Sequence, residues 1–314
     1  MTKTTMRAIR QEALGGPGVL REVEIDKPGP GLSQVLVRVR AAGLNPSDWG
    51  HRAHPIFLGP PPFVLGWDVS GTVEATGFGV TLFKPGDEVF GMLPYPFGHG
   101  SHAEYVAGPA RAFARKPPAI DHVQAGALPL AALTAWQALN DTAGLRAGQR
   151  VLIHAAAGGV GHLAVQIAKA KGAHVIGTAS AGHHAMLRDL GADEVIDYTV
   201  TDFTEAATDI DVVLDPISGD YSARSLRVLR PGGLLVSILP FAPEIPAQAA
   251  EAGVRAELML VEHDHAGMNA IAGLVEAGTL RPVIAATFPL AGAAEAHALG
   301  EGGHVGGKLV LTMS

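Results

Sequence analysis

The chain of 314 residues contains no cysteine. This absence excludes disulfide bonds, thiolate catalysis, iron–sulfur clusters and the common cysteine-ligated zinc sites. Any metal site would have to use histidine and carboxylate ligands.

Charged residues are also scarce, at 17% of the sequence, and 23 Lys and Arg are set against 30 Asp and Glu. The formal net charge of −7 repels a phosphate backbone, and no cluster of basic residues compensates for it. We therefore expect no nucleic-acid partner. Apolar residues make up 47%, which excludes a disordered chain, and the length predicts about two domains of roughly 150 residues each.

The sequence begins without a long apolar segment. Residues 1–13 lack the apolar core of a secretory signal, so we expect a cytoplasmic protein. Residues 151–168 carry no formal charge and approach the length of a membrane span. Three glycines interrupt this segment, at Gly158, Gly159 and Gly161, and they favour a short strand followed by an amphipathic helix. We expect no membrane partner.

Two kinds of pattern divide the chain. Residues 1–118 combine Gly- and Pro-rich turns with short β-branched runs, which is typical of a small β-barrel or sandwich. Residues 119–278 alternate apolar strands with amphipathic helices, which predicts an α/β doubly wound parallel sheet. Its six predicted strands lie at 151–155, 174–178, 194–197, 212–214, 234–238 and 256–261. Residues 279–314 return to β-like runs, so we expect them to rejoin the first domain.

The turn after the first predicted strand carries a dinucleotide-binding fingerprint. Ala156, Gly158 and Gly161 occupy the three positions of G-x-G-x-x-G. A side chain at Gly158 would block a pyrophosphate, and Gly161 lets the helix press on the sheet. The phosphates would lie at the positive N-terminal end of the helix that begins near Gly159. A glycine-rich turn can serve packing alone, but the complete strand–turn–helix–strand order favours a cofactor site.

The second predicted strand is followed by residues 178–184, which include no carboxylate. NAD-binding folds place an acidic residue near this position, on the ribose hydroxyl. Ser180 and His183 can instead donate hydrogen bonds to a 2′-phosphate, so the sequence favours NADP(H). The alternative is that both are ordinary loop and helix-cap residues, because no Arg or Lys accompanies them.

A set of motifs in shared order resembles the medium-chain dehydrogenase/reductase superfamily, and within it the zinc-free quinone oxidoreductases similar to zeta-crystallin. The motifs are AGLNPSD at 42–48, LGWDVSG at 65–71, PGDEV at 85–89, AEYV at 103–106, LTAW at 133–136, LGAD at 190–193 and GKLVL at 307–311. The resemblance implies a GroES-like β-barrel catalytic domain formed by residues 1–118 and 279–314. It also implies a Rossmann NADP(H)-binding domain at 119–278, and a homodimer joined through the strands at 256–261.

The resemblance also bears on whether the chain has the catalytic zinc site found in part of this superfamily. Zinc enzymes of this superfamily place Cys near Asn45 and His near Trp67, so both ligand positions are replaced here by poor ligands. The close pairs His51 with His54 and His99 with His102 are more typical of a solvated loop than of a metal site. We expect no metal.

The implied reaction is hydride transfer from NADPH to a quinone or an α,β-unsaturated carbonyl. Asn45 matches the family motif, and its amide can donate to the substrate oxygen or to a cofactor hydroxyl. Asp48 also matches, with a turn or helix cap as its alternative role. Relatives often carry Tyr where this chain has Gly50, so the proton donor stays open. Its candidates are solvent and the side chains of His51, Tyr95, His99 and His102.

The family pattern also implies cofactor contacts. Thr134, Ile238 and Leu239 would face the nicotinamide, and Tyr198 the adenosine end. The pyrophosphate would lie on Gly158, Gly159 and Val160. Lys308 would reach the cofactor from the tail, or be a surface lysine at a strand end. Six aromatic residues are predicted to rim the substrate pocket and favour a small hydrophobic substrate. They are Trp49, Phe57, Phe63, Tyr95, Phe97 and Phe241.

Two other functions stay open at this point. The missing pocket Tyr is compatible with an NADPH-binding protein that senses or binds a partner without catalysis. A dedicated biosynthetic enoyl reductase would share the chemistry and differ in its substrate.

Overall fold

The computed structural model describes residues 4–303 and 305–313. Its contacts divide the chain into two compact units. The first joins the segment up to Leu133 with the segment from Glu262 onward, and the second is Thr134–Val261. The domain boundaries at residues 118/119 and 278/279 come from the sequence and stay a prediction. In the described part of the chain, no helix has the length and apolar character needed to cross a membrane.

The elements are numbered in chain order. The strands are β1 (Thr5–Gln11), β2 (Leu20–Asp26), β3 (Gln34–Leu44), β4 (Phe63–Val64), β5 (Asp68–Thr76), β6 (Glu88–Met92), β7 (Tyr105–Pro109), β8 (Phe113–Arg115), β9 (Arg150–Ile153), β10 (His174–Ala179), β11 (Glu194–Asp197), β12 (Ile210–Asp215), β13 (Leu229–Ser237), β14 (Arg255–Leu258), β15 (Ile284–Pro289) and β16 (Lys308–Thr312). The α-helices are α1 (Pro46–Ala53), α2 (His122–Gly126), α3 (Pro129–Trp136), α4 (Gly161–Ala170), α5 (His184–Asp189), α6 (Phe203–Ala206), α7 (Asp220–Ser225), α8 (Ile245–Glu251), α9 (His265–Glu276) and α10 (Ala293–Glu301).

The first unit contains two sheets. One has the strand order β15-β16-β3-β5-β6-β8, with β7 also paired to β3, and the other has the order β2-β1-β4. The C-terminal strand β16 runs antiparallel to β3, with Val310 opposite Gly43. The C-terminal strand therefore pairs with a strand from the N-terminal part of the chain.

One end of this larger sheet gathers three polar residues. Strand β3 leads directly into α1, with Asn45 as the N-cap and Pro46 in the first turn, where both residue types are favoured. Asp68 begins β5 and Lys308 begins β16, and both strands are antiparallel neighbours of β3. The starts of β5 and β16 therefore lie beside the end of β3.

The second unit has a parallel sheet of six strands in the order β11-β10-β9-β12-β13-β14. This confirms the predicted doubly wound sheet, because the strand order reverses on either side of β9. Helix α4 begins at Gly161, two residues later than expected. The intervening residues form a tight turn, in which the Gly158 backbone N–H donates to the Ala155 carbonyl oxygen at 2.8 Å.

Candidate active site

Asn45, Asp68 and Lys308 form a buried cluster in the first unit, here called the Asn45 triad. Their exposed fractions are 2%, 0% and 2%. The Asn45 amide nitrogen Nδ2 donates to Asp68 Oδ2 at 2.9 Å. Lys308 Nζ donates to Asn45 Oδ1 and to the Leu44 carbonyl oxygen, the latter at 2.9 Å, and lies 3.4 Å from Asp68 Oδ2. A lysine and an aspartate thus hold one amide group between them.

These partners fix the orientation of the Asn45 amide. An ammonium group only donates, so the amide atom beside Lys308 is the oxygen. A carboxylate only accepts, so the amide atom beside Asp68 is the nitrogen. The nitrogen carries two N–H groups and directs one of them to Asp68. Among residues 4–303 and 305–313 the structure gives the second N–H no acceptor, so this N–H is left to donate to another group.

Asp68 is itself held by the backbone. The Leu130 N–H donates to Asp68 Oδ1 at 2.6 Å. Burial raises the pKa of the Asp68 carboxyl above its ordinary value, and the ammonium of Lys308 is the strongest influence against that rise. A Cβ atom on Gly43 would lie 2.5 Å from Asp68 Oδ2, so glycine at this position makes room for the carboxylate.

Asp48 lies one turn into α1 and is fully buried. Its Oδ2 accepts the Asn45 backbone N–H at 2.7 Å, which closes the first turn of the helix. Its Oδ1 has no hydrogen-bond partner among the described residues and lies 3.8 Å from His102 Nε2. Burial raises the pKa of Asp48 to about 8, so the carboxyl is mostly protonated at neutral pH. This geometry favours the helix-cap role over a chemical one.

His51 lies among aromatic side chains on the buried side of α1. Its ring centroid is 5.6 Å from that of Phe57, 5.1 Å from that of Trp67 and 6.1 Å from that of Tyr95. Its Nδ1 lies 2.7 Å from the Ser47 carbonyl oxygen, which only accepts, so Nδ1 carries the proton. Burial lowers the pKa of His51. The neutral ring therefore offers Nε2 as an acceptor and not as a donor.

The other candidate proton donors differ in what they can offer. His99 uses its Nδ1 proton on the Val64 carbonyl oxygen, at 2.6 Å. His102 is fully buried, and burial lowers its pKa to about 3, so its ring is neutral and enclosed. The Tyr95 hydroxyl makes no hydrogen bond within residues 4–303 and 305–313. Burial raises the pKa of Tyr95, so it keeps a donor proton at neutral pH.

The predicted aromatic rim is brought together only in part. Phe57 and Tyr95 pack edge to face, with ring centroids 6.4 Å apart. Phe63 is buried against His99, and Phe97 is 74% exposed. Trp49 packs on His297, and Phe241 packs on the core of the second unit. Three aromatic side chains pack together around His51. They are Phe57, Trp67 and Tyr95.

A buried polar cluster beside α1 is not indicated by the sequence. Arg52 is fully buried, and its Nη2 donates to the two carboxylate oxygens of Glu301 at 3.0 and 2.9 Å. Its Nη1 lies 3.2 Å from His297 Nδ1, and the His297 ring packs edge to face on His102 at 5.7 Å. Burial lowers the pKa of His297 to about 2. No local pattern could have indicated this cluster, because His297 and Glu301 lie 245 and 249 residues along the chain from Arg52.

The glycine-rich turn of the second unit fits a dinucleotide. A Cβ atom on Gly161 would lie 2.3 Å from the Ala155 carbonyl oxygen and 2.7 Å from Ala156 Cα, so packing itself requires glycine there. A Cβ atom on Gly158 would meet only the Ala155 carbonyl oxygen, at 3.2 Å. The space beside Gly158 is therefore open, and a side chain would fill the room that a pyrophosphate needs.

The other predicted cofactor residues are distributed over both units. Ser180 and His183 follow β10, and Tyr198 follows the neighbouring strand β11, so these three share the carboxyl edge of the sheet. Ile238 and Leu239 follow β13 at the same edge, and Leu239 is 44% exposed. Val160 directly precedes α4, and Thr134 is buried inside α3. Lys308 lies in the first unit, within the Asn45 triad.

Comparisons with known proteins place the chain in a family. A model of the alcohol dehydrogenase GroES-like domain matches residues 30–118, and a model of zinc-binding dehydrogenases matches residues 190–311. A 2-haloacrylate reductase from Burkholderia sp is 37% identical over 325 residues, which cover 95% of this chain and 96% of the relative. The chain belongs to the medium-chain dehydrogenase/reductase superfamily. Its first unit carries the GroES-like domain and its second unit the Rossmann-like sheet of that superfamily.

Solved structures give the branch of this superfamily. The quinone oxidoreductase from Coxiella burnetii superposes with a TM-score of 0.93 at 38% identity, covering 99% of this chain and 100% of that one. The Escherichia coli quinone oxidoreductase, solved in complex with NADPH, gives a TM-score of 0.88 at 28% identity, covering 98% and 99%. The chain is a quinone-oxidoreductase-like member of the superfamily and an oxidoreductase, and these relatives support NAD(P)H dependence.

Proposed function

We propose that this superfamily member transfers a hydride from NADPH to a quinone or an α,β-unsaturated carbonyl, without a catalytic zinc ion. The observation that carries the proposal is the Asn45 amide, which is fixed by Lys308 and Asp68 and retains one N–H for an acceptor. Reduction of such a substrate develops negative charge on a carbonyl oxygen, which a buried N–H donor stabilises. The relatives named for quinone and 2-haloacrylate reduction support this acceptor class.

Zinc independence is proposed from the side chains at the two family ligand positions. Trp67 is fully buried, and its indole N–H donates to the Pro96 carbonyl oxygen at 3.2 Å. Indole offers no lone pair to a metal, and the amide oxygen of Asn45 already accepts from Lys308. Within residues 4–303 and 305–313, no three His, Asp or Glu side chains converge as a ligand set.

NADPH supplies the hydride when it is bound. The pyrophosphate is assigned to the open turn before α4, and the adenosine with its 2′-phosphate to the ends of β10 and β11. The nicotinamide is assigned to Thr134, Ile238 and Leu239. The residues proposed for the first two parts are Gly158, Gly159, Val160, Ser180, His183 and Tyr198. Preference for NADPH over NADH follows from the missing carboxylate after β10.

The first unit supplies the groups that act on the substrate. Asn45 donates its free amide N–H to the substrate oxygen, and the Tyr95 hydroxyl serves as the second donor and proton source. Tyr95 is preferred over His51 because the neutral His51 ring presents only an acceptor at Nε2. Phe57, which is 44% exposed and packs against Tyr95, offers an apolar contact that favours a small hydrophobic substrate.

The proposed setting is a cytoplasmic homodimer. β14 is an edge strand of the parallel sheet, and Leu258 and Leu260 are each 53% exposed on and just after it. An exposed edge with apolar side chains is stabilised when a second copy covers it. Strand β14 is therefore assigned to the dimer contact.

The experiment that tests the function follows NADPH oxidation optically. We offer 1,4-benzoquinone, 1,4-naphthoquinone and a medium-chain enal separately, and run NADH beside NADPH. We expect turnover with at least one acceptor and a higher kcat/KM with NADPH than with NADH. Tight NADPH binding without turnover of any acceptor would contradict the proposed enzyme and support a non-catalytic NADPH-binding protein.

A further inference from the structure

The ammonium of Lys308 is fully engaged inside the first unit. It has three N–H donors, and three acceptors surround it: the Leu44 carbonyl oxygen, Asn45 Oδ1 and Asp68 Oδ2. The side chain is buried, and its ion pair with Asp68 is buried with it. No N–H of Lys308 is left for a cofactor phosphate in this arrangement.

Lys308 determines the orientation of the Asn45 amide and the strength of its N–H donors. An isolated amide can flip by 180° and exchange its oxygen with its nitrogen at little cost. Beside an ammonium the flipped form would place two groups of donors against each other, so only one orientation is stable. The positive charge at the amide oxygen also polarises the amide, which makes its N–H groups stronger donors.

We propose that Lys308 is a positioning residue for Asn45. Lys308 holds the amide oxygen of Asn45 and so turns a polarised N–H of that amide toward the carbonyl oxygen of the substrate. This inference rests on the proposed function and deepens it. Lys308 acts through Asn45 and touches neither cofactor nor substrate. Asp68 completes the arrangement by accepting the other amide N–H and by balancing the charge of the lysine.

The alternative role, a direct cofactor contact by Lys308, predicts different kinetics. Loss of a cofactor contact raises KM for NADPH and its dissociation constant. Loss of a positioning residue lowers kcat and leaves NADPH binding as it was, because the interaction is made only as charge develops on the substrate. The two roles are therefore separated by a binding measurement and a rate measurement on the same variants.

The test compares Lys308→Met, Asn45→Ala and the double variant with wild type. We expect Lys308→Met to lower kcat with the best acceptor by about tenfold or more, since small misplacements of a donor have effects of this size. The dissociation constant of NADPH, measured by fluorescence titration of the free protein, should change by less than about twofold. In the Asn45→Ala background, Lys308→Met should cause no further loss, because its effect passes through the amide.

Two further variants separate the loss of positioning from a loss of folding. Lys308→Met leaves the Asp68 charge buried without its partner, which destabilises a fold strongly. The pair Asp68→Asn with Lys308→Met removes both charges, and we expect it to fold and to show the same loss of kcat. Lys84→Met, at an exposed lysine of the same unit, should retain wild-type kinetics.

The outcomes are distinguishable. An active wild type whose folded Lys308 variants keep kcat, or lose NADPH affinity in place of kcat, overturns the positioning role alone. Additive losses in the Asn45→Ala background overturn it as well. A wild type that turns over no acceptor contradicts the proposed function and this inference together.

Discussion

A single amide group carries the proposed chemistry, and its neighbours decide what it can do. Asn45 is a neutral side chain in a buried place, where hydrogen bonds are stronger than in water and where an unpaired group is costly. Lys308 donates to the amide oxygen of Asn45, and Asp68 accepts one of its amide N–H groups. The remaining N–H is already desolvated and oriented, so little reorganisation is needed when the substrate oxygen becomes negative.

Removal of this donor should lower the rate in a protein that still folds. We expect Asn45→Ala to lower kcat with a quinone by about 10²-fold, the size of effect that loss of one oxyanion donor has. The measurement is the initial rate of NADPH oxidation at saturating substrate, with circular dichroism to confirm folding. Asn269→Ala, at an exposed asparagine of α9, is the matched control and should stay at the wild-type rate. A folded Asn45→Ala with full kcat would show that the substrate oxygen has another donor.

Asp48 should make stability depend on pH. Its pKa is raised from the ordinary value near 4 to about 8 in the folded protein, so the folded state binds a proton that the unfolded state has released. The contribution of Asp48 is fully present below pH 4 and is lost as pH rises toward 8. We expect Asp48→Asn, which keeps the neutral shape, to gain thermal stability relative to wild type as pH rises from 5 to 8.

The comparison of wild type with Asp48→Asn isolates this effect from the buried histidines. The pKa values of His102 and His297 are lowered, so their contributions have the opposite sign and are lost as pH falls below about 6.5. Both proteins share those histidines, so the difference between their unfolding temperatures reports Asp48. A difference that is constant from pH 5 to 8 would show that Asp48 is ionised throughout.

At the scale of elements, the sequence predicts the strands and helices well because each is a local pattern. The apolar runs of β9 to β14 alternate with amphipathic helices, and the observed parallel sheet follows that alternation. The Asn45 triad could not be predicted in this way. Its members are separated by 23 and 240 residues, and the register of β3 with β5 and β16 brings them together. The motifs identified Asn45 and Lys308 separately, and nothing local indicated that they bond.

The turn between β9 and α4 should be sensitive to a single methyl group. A Cβ atom on Gly161 would lie 2.3 Å from the Ala155 carbonyl oxygen, so Gly161→Ala must displace the turn. We expect a loss of about 1–3 kcal/mol in unfolding free energy and weaker NADPH binding, measured by denaturant unfolding and fluorescence titration. Gly29→Ala is the matched control, since Gly29 is exposed outside the proposed cofactor site and a Cβ atom there meets nothing within 4 Å. Equal stability and affinity in both variants would contradict a packing role for Gly161.

At the scale of the whole molecule, the chain leaves its first unit once and returns to it. The second unit lies between Leu133 and Glu262, and β16 then pairs with β3. Composition indicated this insertion, because Gly- and Pro-rich β segments flank an α/β segment. The Rossmann-like sheet keeps a free edge at β14 in the single chain.

That edge should determine the oligomeric state. We expect wild type to be a dimer at micromolar concentration in analytical ultracentrifugation, and Leu258→Asp to shift it toward monomer, because a charge on the covered edge opposes pairing. Leu32→Asp, at a leucine that is 79% exposed in the first unit, should remain dimeric. A monomeric wild type would contradict the proposed dimer contact at β14 and would not bear on the proposed reaction.

The most direct test of the central claim is the rate of NADPH oxidation with 1,4-naphthoquinone after the protein has been freed of metal by dialysis against EDTA. If the Asn45 amide stabilises the developing charge in place of a metal ion, the stripped protein keeps the full rate and added Zn²⁺ does not increase it. Loss of turnover on stripping, with recovery on adding Zn²⁺, would contradict the claim.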